Sequence, residues 1–303
     1  MTTPTDTLVD AHHHLWNPVS RDPDLGYVWL NDIGAAKPFG DPTPIQRDYG
    51  LSEFRAETDA YSLLASVHVQ ADGAIPDPAA ETRYIQQISD ASDFPIAIVG
   101  FVNLSSSSAE AVLDAHQQNP AFRGVRQIVA HLPDNPHISF SPRELLEDSG
   151  WRDRFTLLGE RGLSFDLQAY PQQMHAYADF LSQHPDVPIA IDHCGCPWDQ
   201  SAAGLVQWRN GIARLAELPH TVMKISGLGM YNPNWDRANT AAVLDTLFEV
   251  FGPTRLMFGS NYPVEKLARP YQQVVADIAA QSGTDGRPHV LREVAQRFYR
   301  LPG

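Results

Sequence analysis

Three consecutive histidines close a short apolar run near the N-terminus, in the sequence Asp10-Ala11-His12-His13-His14. If the run is a β-strand, its period of two puts Asp10, His12 and His14 on one face and His13 on the other. Two imidazoles spaced two residues apart on a strand are parallel neighbours, able to meet one divalent ion or a polar substrate. The plainer alternatives are a structural role or surface histidines. A second cluster is Asp192-His193-Cys194-Gly195-Cys196-Pro197. One histidine with two cysteines has the composition of a zinc set, yet alternation sends His193 opposite to Cys194, and C-x-C is not the common C-x-x-C spacing. His193 is therefore read as a site residue and the cysteines as small packing residues. Two cations stand inside apolar segments. Arg126, in FRGVRQ, has the planar fork that grips a carboxylate or a lactone oxygen, or that closes a structural salt bridge. Lys224, in MKISG, could equally bind substrate or pair with a buried acid.

These side chains need a scaffold, and its elements are legible. Segments of strand composition occur at 7–14, 63–70, 96–104, 122–129, 163–169, 188–193, 221–226 and 255–259. Helical spacing fills 79–92, 107–118, 142–161, 171–183, 204–218 and 238–251, then 270–281 and 287–300. Strands alternating with helices at this spacing argue for a parallel sheet with crossover helices, and eight repeats argue for a closed (β/α)8 barrel, an α/β fold in one domain over 1–303. An open doubly wound sheet would share the alternation, but no G-x-G-x-x-G or P-loop motif is present to support it. On the fifth strand Ser164, Asp166, Gln168 and Tyr170 share one face. On the second, Ser66, His68 and Gln70 oppose Ala65, Val67 and Val69. In a barrel the apolar faces would pack on helices while the polar ones, His68 and Gln168 among them, would line the mouth. The stretch 17–49 is rich in Pro, Gly and Asp with scattered aromatics, long for a βα connection, and is read as a lid.

The 303 residues are 43% hydrophobic and 19% charged, enough apolar material for a large core and against a disordered or fibrous chain. A formal net charge of −14, with no basic run, makes nucleic acid and anionic membranes poor partners. Two cysteines one residue apart give no disulfide framework. The N-terminal ten residues have neither a basic nor an apolar signal region, and no apolar run approaches a membrane span, so a cytoplasmic protein acting on a small molecule is expected. The sequence does not fix an oligomeric state, and a homo-oligomer is compatible with it.

Five motifs, DAHHHLW, GVRQ, DHCGCP, KISGL and MFGSNYPV, fall on strands one, four, six, seven and eight. Together they resemble the amidohydrolase superfamily, in its amidohydrolase-2 branch of TIM-barrel hydrolases that includes sugar lactonases and 2-pyrone-4,6-dicarboxylate lactonase. The resemblance implies a divalent cation, zinc or manganese, on His12 and His14 in metal-dependent relatives, although some members of the branch work without metal. It places the strand-six histidine on His193 and the substrate-binding arginine on Arg126. The strand-eight aspartate that activates water falls on Asn261, a departure, since an amide takes up no proton near neutral pH. The family's strand-four lysine ligand and second strand histidine have no match, so a binuclear centre is not expected. The implied activity is opening of a lactone or similar cyclic ester by water, with His193, Asp10 or Asp192 as proton acceptor and Trp16, Trp29, Trp198 and Tyr262 available for stacking. A metal-assisted nonoxidative decarboxylase of an aromatic or unsaturated acid, and a non-catalytic ligand-binding barrel, are the alternatives.

Overall fold

In a computed structural model the chain is described over residues 6–18, 25–35, 37–71, 73, 75–231 and 237–302. Eight strands form one sheet: β1 (Thr7–His13), β2 (Ser62–Val69), β3 (Ile96–Gly100), β4 (Phe122–Val125), β5 (Ser164–Leu167), β6 (Ile189–Ile191), β7 (Thr221–Ile225) and β8 (Leu256–Phe258). Each pairs in parallel with the next in chain order. The sheet comes round on itself where β8 runs out beside β1: Asn261 N–H donates to the His12 carbonyl and His14 N–H to the Tyr262 carbonyl, each at 2.7 Å. This is the expected (β/α)8 barrel, and among the described residues no helix is long and apolar enough to cross a membrane.

Two apolar layers hold it. Between barrel and helices lie Leu8, Ile98, Phe165, Leu167, Ile225 and Phe258, packed with helix residues such as Trp151 and Phe155. Inside the barrel, Val9, Ala11, Val67, Val69, Val99 and Val222 form a separate cluster, closed by Val294, Ala295 and Tyr299 of the C-terminal helix Val294–Tyr299. A barrel interior packed this way is a core, not a pore, and only the C-terminal ends of its strands are free for chemistry.

That inner layer corrects two expectations about polarity. On β2 the residues facing inward are Val67 and Val69, whereas Ser66 and His68 face the helices. On β1 the pairing with β2 slips between Asp10 and His13. A bulge adds one residue and reverses the phase of everything before it. Asp10 therefore shares the outer side with His13, while Ala11 and His12 both turn inward. The room for His12 comes from Gly259 on the neighbouring strand end, where a Cβ would lie 2.7 Å from the His12 Cβ.

Helix boundaries differ from the pattern, and two of the differences bear on the scaffold. The segment expected as helix from 142 begins at Ser149, because the Asp148 carboxylate caps it by accepting the Trp151 N–H at 3.2 Å. A helix unseen in the pattern, Leu51–Glu57, closes the long β1–β2 connection. The base of that connection is stapled where Trp16 and Tyr49 exchange two backbone hydrogen bonds, and its middle is tied to the barrel by Trp29 Nε1–H donating to the Ala71 carbonyl at 2.8 Å.

Candidate functional site

The strands deliver a charged cluster to the upper interior of the barrel. Lys224 of β7 lies at its centre, fully buried, with Nζ 2.5 Å from Asp166 Oδ2 of β5, 3.2 Å from Asp192 Oδ1 beyond β6 and 3.3 Å from His12 Nδ1. The Tyr299 ring lies beneath, its centroid 5.3 Å from Nζ, and the Tyr299 hydroxyl donates to Asp166 at 3.0 Å. Arg126, just past β4, donates from Nη2 to the Gln70 carbonyl at 2.5 Å and sets Nη1 3.4 Å from His12 Nε2 and 3.5 Å from Asp192 Oδ2. A neutral imidazole has one lone pair, and arginine cannot give up its proton. His12 Nε2 therefore accepts from Arg126, and Nδ1 carries the proton toward Asp192 Oδ1 at 3.3 Å.

Burial alone would raise the Asp192 carboxyl, but Lys224 and His12 outweigh it and hold Asp192 well below the usual carboxylate range. Asp166, buried beside the Asp192 charge, is pushed up to about 6 despite Lys224. Burial drives the pKa of His12 and His14 well below the usual imidazole value, the positive neighbours Lys224 and Arg126 adding to it, and takes His193 to about 3. All three imidazoles are neutral at neutral pH.

Above this floor opens a cavity of about 330 Å³, walled by His14, Arg126, His193, Asn261 and Gln168 on the barrel side. Trp16, Trp29, Lys37 and Phe39 of the β1–β2 connection close the other side, with Phe140 and His137 from the segment after β4. His193 sits in a turn of positive φ, and its Nδ1 is 3.0 Å from the Ser226 hydroxyl. Gly227 opposite has to lack a side chain, since a Cβ would lie 2.7 Å from that nitrogen. His14 Nδ1 is 2.7 Å from the Val69 carbonyl, an acceptor only, so Nδ1 carries the proton and Nε2 presents its lone pair. Beside Nε2, at 3.3 Å, is the Asn261 carboxamide, whose two ends are interchangeable by a flip. Turned so that its amide nitrogen donates to His14, Asn261 matches the tautomer that Val69 imposes.

Of the expected site residues, the fold brings His14, Arg126, Gln168, His193, Asn261 and Trp29 to the cavity wall, with His12 immediately beneath. Four lie elsewhere. Asp10, on the outer side of the β1 bulge, accepts from the His12 and Ser260 N–H groups and from the Tyr271 hydroxyl, which ties β1 to β8 and to the helix Tyr271–Pro288. His68 is buried behind β2, its Nδ1 accepting the Leu15 N–H and its Nε2 3.3 Å from Glu81. Tyr262 donates to the Arg269 carbonyl, its ring packed edge-on to Tyr271. Lys224 is an ion-pair partner under the floor, out of reach of the cavity. Cys194 and Cys196 are buried free thiols, as their packing role requires. His137, Phe140 and Met230 also line the cavity, from loops whose residues carry no periodic signal in the sequence.

Among the described residues, the side chains that could jointly hold a metal ion are His12, Asp192 and His193, whose donor atoms lie within 4.8 Å of one another. His14, expected as the second ligand, is outside this set. The three fit a dication poorly. Both nitrogens of His12 are already engaged, and each oxygen of the one carboxylate faces a cation, Lys224 or Arg126.

The neutral buried histidines set the acid stability. His12, His13, His14, His68 and His193 are all lowered by burial, and each gains a proton near 6.5 only on unfolding. The unfolded chain binds more protons below that pH, so their contribution is lost as pH falls from 6.5 toward about 3. Asp10 and Asp166, raised to about 6, and Glu265, raised to about 7, act oppositely between their unfolded values and these. The histidines outnumber them. The melting temperature should fall from pH 7 to 5 and fall faster below about pH 4, where the carboxyl compensation ends. A melting temperature that stays level or rises on acidification, in thermal scans across that range, would contradict the neutral buried histidines.

The family described as Amidohydrolase matches residues 9–301. An uncharacterized protein of Sinorhizobium fredii is 32% identical over 97% of this chain and 98% of its own length. An L-fucono-1,5-lactonase of Burkholderia ambifaria is 29% identical over 97% of this chain and 95% of its own. The crystal structure of a Burkholderia multivorans amidohydrolase, obtained with bound HEPES and in another crystal form with bound zinc, superposes with a TM-score of 0.80 at 25% identity, covering 98% of this chain and all of that one.

Proposed function

The chain belongs to the amidohydrolase family, and from that membership we propose that it hydrolyses a lactone, with a neutral sugar lactone as the favoured substrate class. The observation that carries this reading is the convergence of His14, Arg126, His193 and Asn261 on one wall of the cavity at the C-terminal ends of the strands. The L-fucono-1,5-lactonases at 29% identity support it. The aromatic wall of Trp16, Trp29 and Phe39 suits a ring, and the described part of the 17–49 connection serves as its lid.

In this mechanism the incoming water displaces the Asn261 amide from the His14 Nε2 lone pair, is held there by Asn261, and attacks the lactone carbonyl carbon. His14 Nε2 takes the water's proton, the one imidazole nitrogen at the cavity whose lone pair is dictated by its partner. Arg126, whose Nε–H has no hydrogen-bond partner among the described residues, and His193 steady the developing oxyanion. The ring C–O bond then breaks, the leaving oxygen recovers the proton from His14, and an open hydroxy acid departs. No step passes through a metal ion.

Proton release on addition of 1,5- and 1,4-lactones of neutral sugars, beside pyrone dicarboxylates, tests the activity. Turnover of a sugar lactone with one proton released per ring opened is expected. Carbon dioxide release from an unsaturated acid without uptake of water, or binding with no turnover of any compound, would overturn the reading.

Asn261→Asp probes the departure from the family pattern. A carboxylate 3.3 Å from His14 Nε2 removes the amide donor and favours the protonated imidazole, turning the base into an ion pair. The variant should lose at least about tenfold in kcat/KM, part of the roughly 10²–10⁴-fold that a positioned general base contributes. A tenfold gain would mean that the wild-type site lacks a base and that His14 is not it.

A further inference from the structure

We propose that Lys224 is the resident cation of this barrel, standing beside the candidate metal cluster of His12, Asp192 and His193 and keeping a divalent ion out of it. Its Nζ is held by oxygens of Asp166 and Asp192 at 2.5 and 3.2 Å, all fully buried. Two buried carboxylates converging on one point are a cation site by composition, and here the cation is supplied by the chain itself.

A second observation points the same way. Neither Asp192 oxygen makes a well-aligned hydrogen bond among the described residues, although each lies within ion-pair distance of a cation. A buried carboxylate normally fills its lone-pair sites. Asp192 is instead held mainly by the two cations, with the His12 Nδ1–H 3.3 Å from Oδ1 as a poorly aligned addition. The balance closes without a metal: Lys224 and Arg126 supply two positive charges against Asp166 and Asp192. A dication entering among His12, Asp192 and His193 would stand beside two like charges inside the barrel, where screening by water is weak. The inference does not depend on which substrate the cavity takes, since it concerns only the cluster beneath.

Lys224→Met removes the ammonium and keeps an apolar stem; Lys224→Gln removes the charge and keeps a polar end. Wild-type protein and both variants, purified without chelator, are analysed for metal content and titrated with Zn²⁺ and with Co²⁺, whose visible absorption reports bound geometry, while circular dichroism checks the fold. Wild type should carry well under one ion and bind neither metal stoichiometrically at micromolar concentration. Each folded variant should bind one ion at least about a hundredfold more tightly than wild type, since removing a unit charge roughly 4 Å from a dication outweighs that factor at the dielectric of such sites. A variant that folds only when Zn²⁺ is present supports the proposal equally. A tightly held stoichiometric ion in wild type overturns it, as do folded variants that bind no better than wild type, or unfolded ones that Zn²⁺ does not rescue.

Discussion

His14→Asn should lower kcat for lactone opening by about 10²–10⁴-fold, the range associated with loss of a positioned general base. Asparagine can still place an N–H near the Val69 carbonyl, where His14 Nδ1 sits at 2.7 Å, so the local backbone contact survives and only the Nε2 lone pair is lost. KM should change little, because Arg126, Gln168 and the aromatic wall remain. The pH profile gives an independent reading. Burial, reinforced by Arg126 and His68, holds the His14 pKa well below 6.5, so the base is unprotonated throughout the neutral range. The wild-type rate should not fall between pH 8 and 6 on account of His14, whereas an ordinary histidine base would begin to fail near 6.5. A variant retaining at least a third of the wild-type kcat, after correction for spontaneous hydrolysis, would remove His14 from the mechanism and leave His193 as the acceptor to test.

The barrel was legible because its eight apolar runs alternate with helical spacing, and because residues such as His193 and Asn261 sit just where those runs stop. The side chains within a strand were less so. Alternation correctly placed Asp166 and Gln168 together on the inner side of β5, with Phe165 and Leu167 toward the helices. The same rule failed on β1, where a bulge that leaves no mark in residue type separates Asp10 from His12. On β2 it assigned the two faces the wrong way round. Polar Ser66 and His68 are tolerated behind the strand because His13 Nε2 meets the Ser66 hydroxyl at 2.8 Å and Glu81 meets His68, partners that only the fold supplies. Tyr299 was equally hidden. It lies 133 residues from Asp166, and nothing local in the sequence says that the last helix plugs the barrel beneath the active cluster.

That plug leads to the second large effect, on stability. Asp166→Ala should cost about 3–5 kcal/mol, the usual penalty for removing one partner of a buried ion pair. The carboxylate is the 2.5 Å partner of Lys224 and also accepts the Tyr299 hydroxyl, so its loss leaves a buried ammonium facing only Asp192 and a buried phenol without an acceptor. A domain with about 5–15 kcal/mol in hand should remain folded, with its urea midpoint clearly lowered. Lys224→Met added to Asp166→Ala should recover a large part of the loss, because the penalty belongs to the unpaired charge more than to the missing bond. The double variant keeps Arg126 opposite Asp192, so the remaining cluster stays neutral. If urea unfolding shows the double variant to be less stable than Asp166→Ala alone, Lys224 would be contributing through its packing against Tyr299, 5.3 Å from the ring centroid, and the charge-balance account of the barrel floor would be wrong.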